Sequence, residues 1–231
     1  MINPSSRVGL CLLPAVFLLG ALSPAVLAVV KRPAAPSGQL GLLDEIVEEA
    51  IRDEEIPGAV VLVGHDGQVI YRKAFGERAL EPRRESMTVD TIFDLASLTK
   101  VVATTTAVMQ LVEKGQVRLN EPVAKYLPEF AENGKEEITV RELLTHYSGL
   151  SADLDLVEPW QGRDAALRLA NAEKPVYAPG SRFLYSDVNF IMLGELVERV
   201  SGMSLDAYCQ KNIFAPLQMT HTHFLPPAAW F

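Results

Sequence analysis

The chain has 231 residues, 48% of them hydrophobic, and a formal net charge of −8. Such a chain can bury the core of one large domain or two small ones. Its acidic balance, without any Lys/Arg cluster, excludes a phosphate-reading nucleic-acid surface and disfavours anionic membranes.

The N-terminal residues read as a targeting segment. Arg7 precedes a mostly apolar run from Val8 to Leu22, followed by Ser23-Pro24 and the small-residue pattern Val26-Leu27-Ala28. This is the layout of a secretory signal over residues 1–28, with cleavage expected after Ala28. The apolar character continues to Val30, so an uncleaved membrane anchor is the runner-up, with Pro14 and Pro24 against a stable span. Cys11 follows Leu10, without the small residue that precedes a lipidated cysteine. Cys209 is then alone in the mature chain, which predicts a buried structural thiol and no internal disulfide. Residues 29–40, with Pro33, Pro36, Ser37 and Gly38, read as a flexible leader, and the folded part as 41–231.

From Leu42 to Ile51 apolar residues recur at helical spacing against an acidic face, predicting an amphipathic helix that stops by Pro57-Gly58. Ala59–Val63 and Val69–Tyr71 flank Gly64-His65-Asp66-Gly67, the pattern of two antiparallel strands joined by a tight Asp-Gly turn. His65 at that turn has no evident chemistry. Gly76 to Val89 reads as a polar connecting loop, and Thr91–Leu95 as a half-buried strand.

Val101 to Lys114 lacks Gly and Pro, so a helix is expected to open near Ser97, with Gly115 beyond its end. Three residues separate Ser97 from Lys100, which puts hydroxyl and ammonium on one face. A helix N-terminus disfavours a second positive charge, so a neutral Lys100 is expected to take the serine proton, and free backbone N–H groups there would receive an oxyanion. At ordinary Ser and Lys usage this spacing arises about once in a chain of this size, so it does not stand alone.

A short helical segment is expected from Leu119 to Leu127. Thr139 with Glu142 three residues on forms a capping box for the next helix. His146, at that helix's end, reads as a cap or a loop-binding residue rather than a base. Further helices are expected over Arg163–Asn171, over Asn189–Val200 ended by Ser201-Gly202, and from a Ser204 cap through Cys209. His221-x-His223 lacks a third ligand at recognisable spacing, and no cofactor is implied.

Five segments in order resemble the secreted serine hydrolases of the class C β-lactamase, D-alanyl-D-alanine carboxypeptidase and esterase group. They are Phe93-Asp94-Leu95-Ala96-Ser97-Leu98-Thr99-Lys100, Glu113-Lys114-Gly115 to Leu127-Pro128, Ile138 to Leu150, Pro179-Gly180 through Tyr185-Ser186-Asp187 to Gly194-Glu195, and Ile213 to Met219. The resemblance implies an α+β fold, an antiparallel sheet with a helical domain. It also implies Ser97 as the acylated nucleophile, Lys100 as its proton acceptor and Tyr185 as a second base. The implied substrate is a small molecule or peptidoglycan peptide: a peptidyl-D-alanine, a β-lactam or, ranked second, a simple ester.

Two departures bear on that reading. The family's Tyr-x-Asn stands here as Tyr185-Ser186-Asp187, as in some peptidase-like relatives, and no Tyr-x-Asn occurs among the six tyrosines. An aspartate accepts a bond from Lys100 but cannot donate an amide N–H to a substrate, and whether Asn189 compensates is open. The family's third motif, Lys-Thr-Gly or His-x-Gly, has no equivalent before Phe231. The resemblance therefore implies a partial sequence without the C-terminal strands of the sheet, leaving an unpaired apolar edge on the Val60 and Val69 strands. The competing reading is a non-catalytic penicillin-binding relative or an inactive fragment.

Overall fold

The computed structural model describes residues 37–155 and 159–227. These form two units divided between Val89 and Asp90. The targeting segment and residues 29–36 of the leader lie outside the described residues.

In the first unit, helix α1 (Ser37–Arg52) precedes strands β1 (Gly58–His65), β2 (Gln68–Ala79) and β3 (Glu85–Ser86), paired antiparallel in the order β1-β2-β3. The helix opens at Ser37, taking in the last four residues read as leader. His65 pairs with Gln68 across a two-residue turn in which Asp66 (φ 51°) and Gly67 (φ 74°) are both left-handed. That is the turn whose twist suits a hairpin. Asp44 of α1 accepts bonds from the Tyr71 hydroxyl and from Lys73 Nζ (2.6 Å) of β2, which pins the helix to the sheet.

The expected loop at Gly76 is in fact the end of β2, and a short third strand follows it. Polarity concealed this: Arg78 is exposed and meets Glu85 of β3 at 2.8 Å, so the strand continues through residues that read as loop. On its other side β1 has no strand partner among the described residues, and Leu62 and Val69 are exposed.

The second unit is helical. A π-helical stretch (Lys100–Thr105) runs directly into α2 (Thr106–Glu113), with Gly115 left-handed (φ 70°) just beyond. Two 3₁₀ turns (Val123–Lys125 and Pro128–Ala131) lead to α3 (Val140–Leu144), whose start carries the full Thr139–Glu142 capping box. Then come α4 (Arg163–Ala172), α5 (Asp187–Ser201) and α6 (Leu205–Cys209), the last passing into a π-helical turn (Gln210–Phe214). Ser204 occupies the N-cap position of α6 but receives no capping bond; its hydroxyl is engaged with Asp206 instead.

Helix α5 is central, touching α2, α3, α4 and α6. Val188, Met192, Leu193, Leu196 and Val197 of α5 are fully buried with Ala107, Val108 and Leu111 of α2. Each large aliphatic side chain so removed from water contributes about 1.5–3 kcal/mol. Thr91–Leu95, expected as a strand, is irregular, and Phe93 and Leu95 are exposed. It pairs with no strand among the described residues, and an extended segment without a ladder is not a strand.

Lys135 lies in no recognisable motif, yet its side chain is wholly buried. The ammonium donates to the carbonyls of Glu132 (2.8 Å), Asn171 (2.8 Å) and Glu173 (2.6 Å). It thereby ties the 132–135 loop to the end of α4 and satisfies three carbonyls that water would otherwise have to reach. Burial pulls its pKa below the ordinary lysine value, against the attraction of Glu132, Glu173 and Glu136. Lys135→Met keeps the volume but orphans the three acceptors, and a loss of about 3 kcal/mol is expected. Urea denaturation followed by circular dichroism measures it, and an unchanged midpoint would show that the cage adds nothing.

Candidate active site

Ser97 sits at the corner where an irregular segment turns into the helical run. Asp94 Oδ1 accepts the Ala96 N–H (2.8 Å), and Ala96 itself is left-handed at φ 42°. A non-glycine residue in that region is uncommon and costs backbone energy, a feature that clusters at functional sites. The amides of Leu98, Thr99 and Lys100 donate to the carbonyls of Leu95, Ala96 and Ser97 at 2.8, 3.0 and 3.1 Å. The expectation that this N-terminus offers several free N–H groups is therefore corrected for these three. The tight entry turn uses them.

The helical path brings Lys100 Nζ to 3.1 Å from Ser97 Oγ. Lys100 is the first residue of the π-helical stretch, a local widening often found at functional positions. Its side chain is only 13% exposed, and Nζ lies 2.6 Å from Asp187 Oδ1. The two groups form an ion pair. Nζ also lies 4.9 Å from the centre of the Tyr185 ring.

Tyr185 and Asp187 arrive together because Ser186 is the N-cap of α5. Ser186 is extended (φ −142°), and its hydroxyl takes the Asn189 N–H. Asp187 is the first helical residue, where the helix dipole favours a negative charge. The Tyr-x-Asp spacing thus straddles a helix start and directs both side chains at Lys100. All four residues singled out in the sequence, Ser97, Lys100, Tyr185 and Asp187, meet within the second unit.

The electrostatics overturn one expectation. Burial, the largest single influence, pulls the Lys100 pKa down, but the interactions with Asp187 and Tyr185 outweigh it and the net shift is upward. Lys100 is therefore an ammonium at neutral pH, not the neutral amine that the helix N-terminus was expected to produce; an adjacent carboxylate outweighs partial helix charges. The complementary shift falls on Tyr185, whose phenol is held below its ordinary value by hydrogen bonding to Lys100 first and then to Ser97. A phenol of lowered pKa beside a serine hydroxyl can exchange a proton with it, and an ammonium alongside stabilises the phenolate.

Behind this group lies a polar layer. His146, left-handed at φ 61°, stacks on Tyr185 with ring centres 4.5 Å apart, and its Nδ1 accepts the Ser186 N–H at 3.0 Å. It is a loop-binding residue, as expected. Asn189 is fully buried: its Oδ1 accepts from Ser148 Oγ (2.6 Å) and its Nδ2 faces His146 Nδ1 (3.5 Å). Its amide is occupied there, so it does not stand in for the asparagine absent at position 187. The spacing of Ser186 and Asn189, N-cap to third helical residue, was the available signal.

The remaining candidates lie elsewhere. His65 is exposed beside Asp66 at the hairpin turn of the first unit. His221 and His223 both contact Thr220, and no group of three His, Cys, Asp or Glu among the described residues is placed to hold a metal ion. Cys209 is buried, and burial followed by Asp206 pushes its thiol up to about 11, so it is neutral.

Comparison with known proteins shows what the chain is similar to. The chain is 32% identical over 207 residues to an Escherichia coli K12 protein named "Putative D-alanyl-D-alanine carboxypeptidase", covering 81% of this chain and 48% of that one. It is 33% identical over 207 residues to a Bacillus subtilis N-acetylmuramyl-L-alanine amidase, covering 81% of this chain and 47% of the other. A crystal structure of a class C β-lactamase superposes with a TM-score of 0.72 at 27% identity, covering 84% of this chain and 53% of that one. The chain spans about half the length of the curated relatives it matches. A profile of the family described as Beta-lactamase matches residues 43–231, with Ser97, Lys100 and Tyr185 inside it. By that match the chain belongs to the Beta-lactamase family.

Proposed function

We propose that the protein is a secreted or periplasmic serine hydrolase that works through an acyl-enzyme on Ser97. The observation that carries the reading is the placement of Lys100 Nζ 3.1 Å from Ser97 Oγ, beside a Tyr185 phenol of lowered pKa. Because Lys100 is held protonated by Asp187, the base in this scheme is Tyr185, and Lys100 stabilises its phenolate. Tyr185 takes the Ser97 proton as Oγ bonds to the substrate carbonyl carbon, and the carbonyl electron pair moves onto oxygen. Collapse of that oxyanion expels the leaving group, which takes the proton from Tyr185. A water molecule, deprotonated by Tyr185, then attacks the acyl carbon; as that second oxyanion collapses the bond to Ser97 Oγ breaks, Oγ takes the proton back from Tyr185, and the acid leaves.

A peptidyl-D-alanine or β-lactam ranks first as substrate, supported by relatives named as a carboxypeptidase, an amidase and a β-lactamase. A carboxylic ester ranks second. The substrate is a small molecule or a peptidoglycan peptide, with no nucleic-acid partner; a membrane is involved only if residues 1–28 stay attached. Secretion is supported by the signal-like pattern of those residues. No helix among the described residues is long and apolar enough to cross a membrane.

Incubated with a fluorescent penicillin or a fluorophosphonate, the protein is expected to be labelled at Ser97 and Ser97→Ala to remove the label; label that survives would place the nucleophile elsewhere. The pH dependence separates the two bases. A base acts when deprotonated, so the acylation rate rises with pH through the pKa of the group that serves. That rise is expected below 10.0, the ordinary tyrosine value, because Tyr185 is lowered. If neutral Lys100 were the base the rise would fall above 10.5, since Lys100 is raised. Tyr185→Phe is expected to cost about 10²–10⁴-fold in rate and to erase the rise. Asp187→Asn removes the carboxylate that helps hold the proton on Lys100, so in that variant the lysine should titrate at lower pH, which a spectrum of ¹⁵N-labelled lysine measures.

A further inference from the structure

We infer that His146 is the positioning residue that holds the Tyr185–Asp187 segment against Lys100, and that it does so only as the neutral ring with its proton on Nε2. The inference rests on the reading of Tyr185 as the base.

Two bonds join His146 to the segment. Its carbonyl accepts the Leu184 N–H at 2.9 Å and its Nδ1 accepts the Ser186 N–H at 3.0 Å. These amides are two residues apart, as on one edge of an extended chain, and the left-handed backbone of His146 (φ 61°) is what turns both acceptors toward them. The ring stacks on Tyr185 (30° between planes), lies 5.2 Å from Phe190 and meets the edge of Phe183 at 5.8 Å. One side chain thus touches residues on both sides of the α5 start.

The proton on the ring is placed by a chain of donors. The Leu150 N–H occupies Ser148 Oγ (3.1 Å), so the Ser148 hydroxyl proton points to Asn189 Oδ1 (2.6 Å). That orients the Asn189 amide with Nδ2 toward His146 Nδ1 (3.5 Å). Nδ1 therefore faces two N–H donors, from Ser186 and Asn189, and only its lone pair fits there. A proton added at Nδ1 would set N–H against N–H and release the Ser186 amide, and with it Tyr185 and Asp187.

The charged and titratable groups facing the ring are Lys100, Asp187 and Tyr185. Burial first, then Lys100, hold the His146 pKa below the ordinary 6.5, with Asp187 opposing. The neutral ring's contribution is thus complete above 6.5 and is lost as pH falls through the lowered value.

Three proteins test this with a fluorophosphonate probe: the unchanged chain, His146→Asn and His146→Phe. Asparagine places an acceptor oxygen near the position of Nδ1, tolerates a left-handed backbone and does not titrate. Phenylalanine keeps the ring and loses the acceptor. For the unchanged chain, the fall in acylation rate toward low pH is expected to steepen below 6.5 as His146 gains a proton. His146→Asn should recover most of the rate lost in His146→Phe and should lack the steepening. His146→Phe should acylate about a hundredfold more slowly near neutral pH. A His146→Phe protein that reacts like the unchanged chain, or steepening that persists in His146→Asn, would overturn the inference.

The tautomer gives a check that needs no catalysis. Long-range ¹H–¹⁵N spectra of the labelled chain resolve its four histidines, and His146→Asn assigns the signal. A neutral ring protonated at Nε2 is expected, and protonation at Nδ1 would defeat the proposal. If instead Tyr185→Phe keeps the full rate, the assignment of the base fails while the tautomer still reports on His146.

Discussion

The Lys100 ammonium is the point on which this site depends. It touches the nucleophile, sits by the Asp187 carboxylate and lies over the Tyr185 ring, and it does so while mostly withdrawn from water. A buried cation is stable only where it is paired, and the pairing has a chemical result: the ammonium that Asp187 retains is the ammonium that makes a tyrosine phenolate attainable. Lysine and tyrosine thus have opposite charge tendencies for one reason. Removing Asp187 would leave Lys100 with less to hold its proton, so the carboxylate is part of the proton inventory even though it bonds no reacting atom.

That arrangement needs two helix starts at a fixed separation. Ser97 and Lys100 come from the entry to α2, and Tyr185 and Asp187 from the entry to α5. The apolar contact of the two helices through Val108, Leu111, Met192 and Leu196 is the frame that sets the spacing. Close-packed interiors transmit small changes, so trimming one of these aliphatic side chains would be felt at the lysine.

Much of this was legible in the residues, and what was not has definable causes. The Asp66-Gly67 hairpin, the Thr139–Glu142 capping box and the Ser97–Lys100 face follow from local stereochemistry, which a sequence records directly. The end of β2 and the irregular course of Thr91–Leu95 depend on whether a neighbouring strand is present, which no window of residues reports. The charge on Lys100 depends on a carboxylate 87 positions away in the chain, and the helix N-terminus visible nearby pointed to the opposite sign. For His146 the residues left a helix cap and a loop-binding role both open, and which of them holds, and that the loop carries Tyr185, is a matter of tertiary contact.

Lys135 has a role that a bound ion could also fill. Three backbone carbonyls converging on one positive charge is the geometry of a calcium or sodium site, in which a cation joins two loops. Here the cation is covalently part of the chain. It cannot be diluted away, removed by a chelator or exchanged for a different metal, so this junction between the 132–135 loop and α4 needs no ion from its surroundings. The cross-link forms when the chain folds, without waiting for a ligand to arrive.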